Sequence, residues 1–556
     1  MKSIKLYQVS SLEKVFPSEK ISGEQGKLAE YSQASALRGE ELAYQIVLRK
    51  EGWGKEEVRW SVSSPLGDAV RVFQVKSVPC ELAAYPEEDD HDSDYLTLDS
   101  GLFPDVLYPM GENTLEINSF LNTTLWVELA VPEDCPAGEY PICFTAEGEE
   151  GRAECTFTLT VVAARLPPQK LLFTQWFHVD CLAEQYHVPV YSERHWEIIG
   201  AYLKEAAKAG MNTVLTPVLT PPLDTAIGTE RLCVQLAEIE KQGDTYRFDL
   251  SRLRRFVELA LECGITHFEI NHLFTQWGAK FTPAVYATEQ GERKRIFGWD
   301  KKADSPEYTA FLRQLLPAVN RLFQSMGLKD RLLFHVSDEP GKGALEHYSR
   351  AKAMIRQLVG DCPVIDALSD PEFYDQGLVG QPVAATNHIE PFLERQVPEL
   401  WAYYCCGQSV KVGNRFLAMP SYRNRILGVQ LYKYRIKGFL HWGYNFWHSQ
   451  ESKSRIDPFR VTDAGGAFPG GDAFSVYPGE NGAPLPSLRL KIFHHALQDL
   501  RALELLEALT DRETVESTVK DFEAITFSEY PRNSQYLLEL REAVNQKIGE
   551  ARVAGN

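Results

Sequence analysis

The sequence predicts a multidomain α/β and β protein. It divides into an N-terminal antiparallel β-sandwich over residues 1–165, a central (β/α)8 TIM-type barrel over 170–500 and a C-terminal helical appendage over 501–556. Three observations predict this division. The 556 residues exceed what one hydrophobic core accommodates. The first 165 residues alternate apolar and polar positions in short runs broken by Gly, Pro and Asp, the pattern of half-buried strands. Beyond residue 170, eight short β-rich runs alternate with longer stretches at helical period, the arithmetic of a barrel with insertions. Composition agrees: 44% hydrophobic, 24% charged and 11% aromatic residues describe a globular chain, not a disordered or fibrous one.

In the first part, strands are expected at 44–48, 58–62, 70–75, 125–131 and 155–162. The acidic stretch 87–94 lacks the glycine and closing Glu of a calcium loop and reads as a solvated loop. Arg165-Leu166-Pro167-Pro168-Gln169 reads as a linker, because two prolines stop helix and strand alike. Barrel strands are expected at 171–179, 213–218, 267–271, 332–336, 364–367, 383–386, 400–404 and 438–445. Between them, Trp196, Ile199, Tyr202, Leu203 and Ala206 form one helical stripe ending at Gly210. Asp249 caps a second, carrying Leu253, Phe256, Val257, Ala260 and Leu261 up to Gly264. Residues 307–327, with Pro317 as an internal irregularity, and 345–359 repeat the theme. An open doubly wound sheet is the main rival, but no Gly-rich phosphate loop follows an early strand. The chain end is helical and polar-faced, with His494-His495 expected at a surface or interface.

A barrel of this type builds its active site at the C-terminal ends of its strands. There the sequence offers His178 and Asp180 (first strand), Asn271 and His272 (third), His335 and the pair Asp338-Glu339 (fourth), and Asp366 (fifth). Asn387 and His388 follow on the sixth, Tyr403 and Tyr404 on the seventh, and Trp442, Tyr444 and Asn445 on the eighth. Acids, amides and histidines bracket sugar hydroxyls, and aromatic rings stack on a pyranose face, so this rim is the equipment of a glycosidase. Trp176 and Trp277 are further candidate platforms, and Trp442 and Tyr444 share one strand face. Residues 459–477 form either a lid or a plain connection after the eighth strand.

Asp338 and Glu339 precede Pro340, which is expected to hold Glu339 in extended geometry. Consecutive residues do not readily flank a sugar from opposite faces, whereas a retaining pair stands about 5–5.5 Å apart across the anomeric carbon. The seventh strand, the natural source of a nucleophile, ends Tyr403-Tyr404-Cys405-Cys406, and Glu399 lies at its wrong end. That fits a substrate-assisted reaction in which the sugar's 2-acetamido carbonyl attacks its own anomeric carbon. Glu339 then serves as acid and base, and Asp338 accepts the acetamido N–H. Charge on Asp338 is expected to keep Glu339 protonated near neutral pH.

These residues carry a family resemblance. The runs 333–340 (LFHVSDEP) and 438–447 (GFLHWGYNFW), with Asp457-Pro458-Phe459, Tyr477-Pro478-Gly479 and Pro486-Ser487-Leu488-Arg489, resemble glycoside hydrolase family 123 and its wider relative, domain-of-unknown-function family 4091. So do Leu125-Trp126-Val127, Val131-Pro132 and Pro136-Ala137-Gly138-Glu139-Tyr140 in the sandwich. The resemblance implies an exo-acting β-N-acetylgalactosaminidase using the neighbouring-group mechanism. It sets the catalytic pair on Asp338 and Glu339, pocket residues on Trp442, Tyr444 and Asn445, and Tyr403 or Tyr404 near the acetamido group.

Two other readings stay open: a non-catalytic carbohydrate-binding protein on the same fold, and a β-N-acetylglucosaminidase-like hydrolase. No cofactor and no metal are expected, since the histidines show no H-x-H or H-E-x-x-H spacing. The expected partner is a glycan or glycoconjugate. A net charge of −19, from 58 basic and 77 acidic residues, argues against nucleic acid and anionic membrane. Ten scattered cysteines without C-x-x-C and an N-terminus without a signal-peptide core suggest a reduced, cytoplasmic protein. Oligomeric state is not legible.

Overall fold

The computed structural model describes residues 4–20, 28–86, 93–149, 151–276, 279–339, 343 and 345–554. Most of the acidic stretch at 87–94, together with Trp277 and Pro340, lies outside the described residues.

The first ten strands are β1 (Ile4–Ser10), β2 (Gln33–Arg38), β3 (Glu41–Lys50), β4 (Lys55–Ser63), β5 (Val70–Cys80), β6 (Gly101–Pro109), β7 (Thr114–Asn118), β8 (Thr123–Ala130), β9 (Gly138–Gly148) and β10 (Gly151–Arg165). They form two five-stranded sheets, ordered β1-β3-β8-β5-β6 and β2-β10-β9-β4-β7. Alternation along β8 sends Leu125 and Val127 into the sandwich core and Trp126 to the opposite side. Tyr44 of β3 stacks on Phe157 of β10 across the two sheets at 4.1 Å. The sandwich is not wholly antiparallel, because β2 runs parallel to β10. Strands so far apart in sequence need no tight hairpin, so parallel pairing at the sheet edge is open to them.

The chain then passes through β11 (Leu172–Gln175), α1 (Val179–Gln185), α2 (Glu193–Lys208), β12 (Thr213–Thr216), β13 (Glu238–Gln242), β14 (Thr245–Asp249), α3 (Ser251–Glu262) and β15 (His267–Ile270). It continues through β16 (Val285–Glu289), β17 (Glu292–Phe297), α4 (Pro306–Ser325), β18 (Leu332–Phe334), α5 (Leu345–Val359), β19 (Ile365–Leu368), α6 (Glu372–Asp375), β20 (Gln381–Ala385) and α7 (Glu390–Glu394). The remaining elements are β21 (Trp401–Tyr403), α8 (Tyr422–Arg425), α9 (Leu427–Lys433), β22 (Gly438–His441), β23 (Val476–Pro478), β24 (Pro484–Pro486), α10 (Leu488–Leu509), α11 (Arg512–Thr518) and α12 (Ser534–Ala554). Ser192 caps α2 by accepting from His195 N–H. Asp249 accepts from Ser251 N–H at 2.9 Å and so opens α3 one residue outside the formal cap. Pro317 sits inside α4 without ending it.

Eight parallel strands organise this part, paired as β11-β22-β21-β20-β19 and β12-β15-β18. A parallel bridge between Phe334 and Val364 joins the two groups. At the other seam Asn212 N–H donates to Phe173 C=O at 3.1 Å. The inward residues, among them Leu215, Leu333, Ile365, Val383, Trp401 and Leu440, form their own apolar cluster, while the outward ones pack on helices. The four-stranded sheet β14-β13-β16-β17, inserted as two hairpins, is absent from the sequence-based expectation. No described helix is long and apolar enough to cross a membrane.

The tail departs from a polar-faced appendage. Helix α10 spans the expected boundary at residue 500, and its polar residues are buried: Arg489, Lys491, His495, Gln498 and Asp499. They face partners instead of solvent. Lys491 pairs with Glu41 at 3.0 Å and Glu128 at 2.6 Å, both from the sandwich, and His495 stacks on Trp126.

Candidate active site

The chain leaves β18 through His335, Val336 and Ser337 and delivers Asp338 and Glu339 to the wall of a cleft of about 800 Å³, open to solvent. Trp176, Tyr403 and Trp442 line the same cleft, with Phe468 opposite Trp442 in an edge contact. Glu339 does not take the extended backbone expected before proline. Its φ is +39°, a left-handed conformation that costs a non-glycine residue about 1–3 kcal/mol and persists where the surroundings over-determine it. Here the Tyr403 hydroxyl donates to Glu339 Oε1 at 2.6 Å, fixing the carboxylate at the cleft wall.

Below the pair lies a charged stack. His335 is fully buried, with Nε2 at 2.9 Å from Glu269 and Nδ1 at 3.6 Å from Asp366. Burial alone would lower its pKa, but hydrogen bonds and charges from Asp366 and Glu269 override that and raise it to about 9. His335 is therefore an imidazolium at neutral pH. Its neighbour His272 stacks on it at 4.3 Å and is kept neutral by burial and by that positive charge. Trp176 Nε1 also donates to Glu269, at 3.1 Å, which orients the indole at the cleft floor. The pKa of Asp338 is pushed well above the usual carboxylate range, chiefly by burial and then by Glu339, with His335 opposing. The upward push thus falls on Asp338, whereas the sequence argument aimed it at its neighbour.

Asp472 accepts from Trp442 Nε1 at 2.9 Å and from His441 Nε2 at 3.2 Å, anchoring the Trp442 ring at the cleft wall. Burial, opposed by Arg415, raises the pKa of Asp472 to about 7. Asp224 and Glu451 complete the wall, and both have left-handed backbones, with φ of +40° and +58°. Asp224 accepts from Glu451 N–H at 3.0 Å, and burial raises its pKa to about 6.

Several expected sugar contacts are scaffold instead. Asp180 forms a two-bond ion pair with Arg231, at 2.8 Å on each oxygen. His178 accepts from the same guanidinium through Nδ1 at 3.1 Å and donates through Nε2 to Trp442 C=O. Burial and Arg231 lower its pKa to about 3, which fixes that neutral tautomer. Both residues thus pin the loop bearing Leu223 and Asp224, with Arg231 Nη1 bonded to Leu223 C=O. Asn271 accepts from Leu219 N–H, and Asn445 clamps the His178 backbone through two hydrogen bonds. Tyr404 points away from the cleft to Asn424 and Phe493, because it follows inward-facing Tyr403 by one residue. Tyr444 donates to Tyr202 C=O and stacks on Phe177. Its shared face with Trp442 fails because β22 ends at His441 and alternation ends with it. Asn387 and His388 lie exposed beyond β20, outside the cleft lining, and Asn387 accepts from Gln408. Of the expected residues, Trp176, Asp338, Glu339, Tyr403 and Trp442 meet at the cleft, and His335 and His272 stand behind them.

Asp224, Gln276, Glu451, Phe468 and the Cys405-Cys406 pair line the cleft without having been singled out as sugar contacts. Glu269 had a signal: it is the one inward acid of a four-residue strand whose neighbours Phe268 and Ile270 face the helices. The loop residues had none, since no periodicity governs them. Among the described residues, Asp180, Cys181 and His448 are close enough to hold a metal, but Asp180 is already occupied by Arg231 and His448 by Glu184.

An acid pair at a parallel-strand end, in an aromatic-walled cleft beside a β-sandwich, defines a carbohydrate-active hydrolase. The particular class follows from comparison: residues 176–506 match the catalytic domain of glycoside hydrolase family 123, and the chain belongs to that family. Among solved structures it is similar to a family 123 glycoside hydrolase from Clostridium perfringens, studied for glycolipid glycan hydrolysis. The TM-score is 0.74 at 15% identity over 99% of both chains, a likeness of fold. A Parabacteroides merdae β-glucuronidase (TM-score 0.32, 10% identity, 82% of this chain and 50% of that one) is a looser likeness and carries no argument. The same holds for a Thermotoga petrophila endo-β-1,4-mannanase (0.35, 13%, 60% and 77%). No curated protein matches.

Proposed function

We propose that the protein is an exo-acting retaining glycosidase that removes terminal β-linked N-acetylhexosamine, N-acetylgalactosamine in preference, by substrate-assisted catalysis. The same reading takes the eight parallel strands as a closed (β/α)8 barrel, supported by their pairing order and by the bridge between Phe334 and Val364. The observation that carries it is the adjacent pair Asp338-Glu339 on one cleft wall, with Glu339 held by Tyr403. Glu339 donates its proton to the glycosidic oxygen as the sugar's acetamido oxygen bonds to C1, giving an oxazolinium ion. Asp338 in its ionised form accepts the acetamido N–H and offsets that positive charge, and the developing cation favours the ionised form that burial opposes. Glu339 then takes a proton from water as the water opens the ring at C1, and two inversions retain the β-configuration.

The test is hydrolysis of p-nitrophenyl N-acetyl-β-D-galactosaminide and its gluco counterpart by wild type, Glu339→Gln and Asp338→Asn. The reading expects each variant to lose about 10²–10⁴-fold in kcat. Undiminished Glu339→Gln activity overturns the assignment, and binding without turnover in the wild type favours a lectin-like protein. The Clostridium perfringens relative puts glycolipid glycans first among natural substrates to try.

A second reading rests on Asp224, a cleft carboxylate with a raised pKa. If Asp224 supplies the acid or nucleophile of a two-carboxylate mechanism, sugars lacking the acetamido group are cleaved equally well and Asp224→Asn is inactive.

A further inference from the structure

The cleft wall carries two thiols for which the proposed reaction has no use. Cys405 and Cys406 follow Tyr403-Tyr404 past the end of β21, and both line the cleft as free, partly exposed cysteines. They are the one pair of adjacent cysteines in the sequence. The turn that carries them is fixed. Cys405 N–H donates to Gln408 Oε1 at 2.8 Å, and Cys405 C=O accepts from Gln408 N–H at 3.1 Å and from Asn414 Nδ2 at 2.9 Å. Gln408 and Asn414 are themselves buried.

The two side chains meet. Hydrogen bonding to Cys406 is the leading cause of a Cys405 pKa well above the usual thiol range, followed by burial and by the charges of Cys406, Glu339 and Asp472. Cys405 is therefore a thiol at neutral pH, and a poor nucleophile toward reagents that need a thiolate. The Tyr85 hydroxyl, which donates to Ala467 C=O at 3.1 Å, also hydrogen-bonds with the Cys406 side chain. The surrounding backbone serves the cleft on both sides of the pair. Tyr403, two residues earlier, holds Glu339, and Cys406 N–H helps to stabilise the Asp472 carboxylate that anchors Trp442.

Geometry selects the chemistry open to the pair. Adjacent Cα atoms stand about 3.8 Å apart across a trans peptide, less than the roughly 4.4–6.8 Å of a relaxed disulfide. A direct sulfur–sulfur bond is thus mismatched, and one atom inserted between the sulfurs lengthens the bridge. We infer that Cys405 and Cys406 form a dithiol modification site for a thiophilic atom that bonds both sulfurs at once, the chemistry of trivalent arsenicals, and that the bridge closes the cleft to substrate. With a monosubstituted arsine oxide, two S–H bonds and the As=O bond break and two As–S bonds form. Both protons leave with the oxygen as one water, and nothing is oxidised or reduced. No net proton is released, which suits a thiol held protonated. The first As–S bond makes the second intramolecular, so the pair outcompetes single cysteines and monothiols. Closure of the cleft to substrate rests on the glycosidase reading, whereas capture of the arsenical does not.

The experiment treats the intact protein with a stoichiometric amount of phenylarsine oxide, maps the adduct by mass spectrometry and follows hydrolysis of p-nitrophenyl N-acetyl-β-D-galactosaminide. One phenylarsenic group per chain is expected on the peptide carrying Cys405-Cys406, with loss of most of the hydrolysis. Dithiothreitol is expected to restore the rate, and mercaptoethanol at equal thiol concentration is not. Cys405→Ser and Cys406→Ser are each expected to lose the adduct and to keep, with the reagent present, whatever rate each has without it. Cys143→Ser, which removes a partly exposed thiol of the sandwich, is expected to react as wild type does. No adduct, an adduct that survives either single substitution in the pair, or an adduct that leaves hydrolysis untouched overturns the inference. A wild type that takes the adduct at Cys405-Cys406 but hydrolyses no glycoside sinks the hydrolase reading and leaves the dithiol site. Hydrolysis without any adduct does the reverse.

Discussion

Tyr403 reaches Glu339 from the end of β21, and Ser369 is a second hydrogen-bonding neighbour of its hydroxyl. Removing that hydroxyl leaves the cleft shape intact but frees a carboxylate whose backbone is already left-handed. A hydrogen bond to a charged group contributes about 1.5–3 kcal/mol, so Tyr403→Phe is expected to lower kcat by about 10- to 100-fold with a smaller change in KM. Steady-state kinetics on the aryl glycoside check this, and an unchanged kcat would remove Tyr403 from the mechanism. His335 acts from further back, through charge. Its folded pKa of about 9 exceeds the unfolded value of 6.5, so the stability it contributes is complete below about 6.5 and is lost as pH rises through about 9. The same cation opposes the upward shift of Asp338. His335→Gln is therefore expected to flatten the alkaline fall in thermal stability and to move the acidic limb of the kcat/KM profile to higher pH, because the Asp338 carboxylate then ionises later. A merely structural residue would move Tm without moving that limb.

At the scale of elements, strand neighbours are matched by size. A Cβ on Gly438 of β22 would overlap the Trp401 indole of β21, so the glycine is what lets a large ring sit inside the strand layer. Gly438→Ala is expected to cost about 1–3 kcal/mol through overpacking, read as a lower urea midpoint at unchanged m-value, and the adjoining Tyr403 makes a parallel loss of activity expected. The eight parallel strands were legible because each is short, apolar and buried on both sides, so a continuous apolar run marks it. The two inserted hairpins were not, because β13 and β14 are mostly polar and bury only alternate residues, and β17 is exposed until its last two. Their turns held the available signal, Gln290-Gly291 with φ of +54° and +85° and Gly243 at +61°. The same limit governed the site. Asp338 and Glu339 stood out as acids directly after an apolar run, but which strand-end residues face the cleft was hidden, since β18 and β21 end after three residues and β22 after four. Past those ends, loop geometry sent His178, Asn445 and Tyr444 into the scaffold instead.

Across the whole molecule, the sandwich and the eight-stranded part are joined by buried charge. Arg489, opening α10, pairs with Asp105 of β6 through bonds of 3.0 and 2.8 Å, and Asp105 also accepts from the Tyr477 hydroxyl at 2.6 Å. Arg489 further donates to the Gly471 and Phe474 carbonyls in the loop that carries Asp472, the acceptor for Trp442. One guanidinium thus ties a sandwich strand, the last long helix and the segment behind the cleft aromatic. Removing one partner of such a pair strands a charge away from water and costs about 3–5 kcal/mol, whereas removing both often costs less. Arg489→Met and Asp105→Leu are each expected to destabilise by about that much, and the double variant by less than the sum. Since the two layers share this contact, wild type is expected to unfold in urea as one transition followed equally by tryptophan fluorescence and far-UV circular dichroism. The single variants are expected to separate the two signals as the sandwich loosens first. Additive losses in the double variant, with coincident transitions throughout, would mean that apolar packing around Trp126 and α10 holds the two parts together and that the ion pair only orients them.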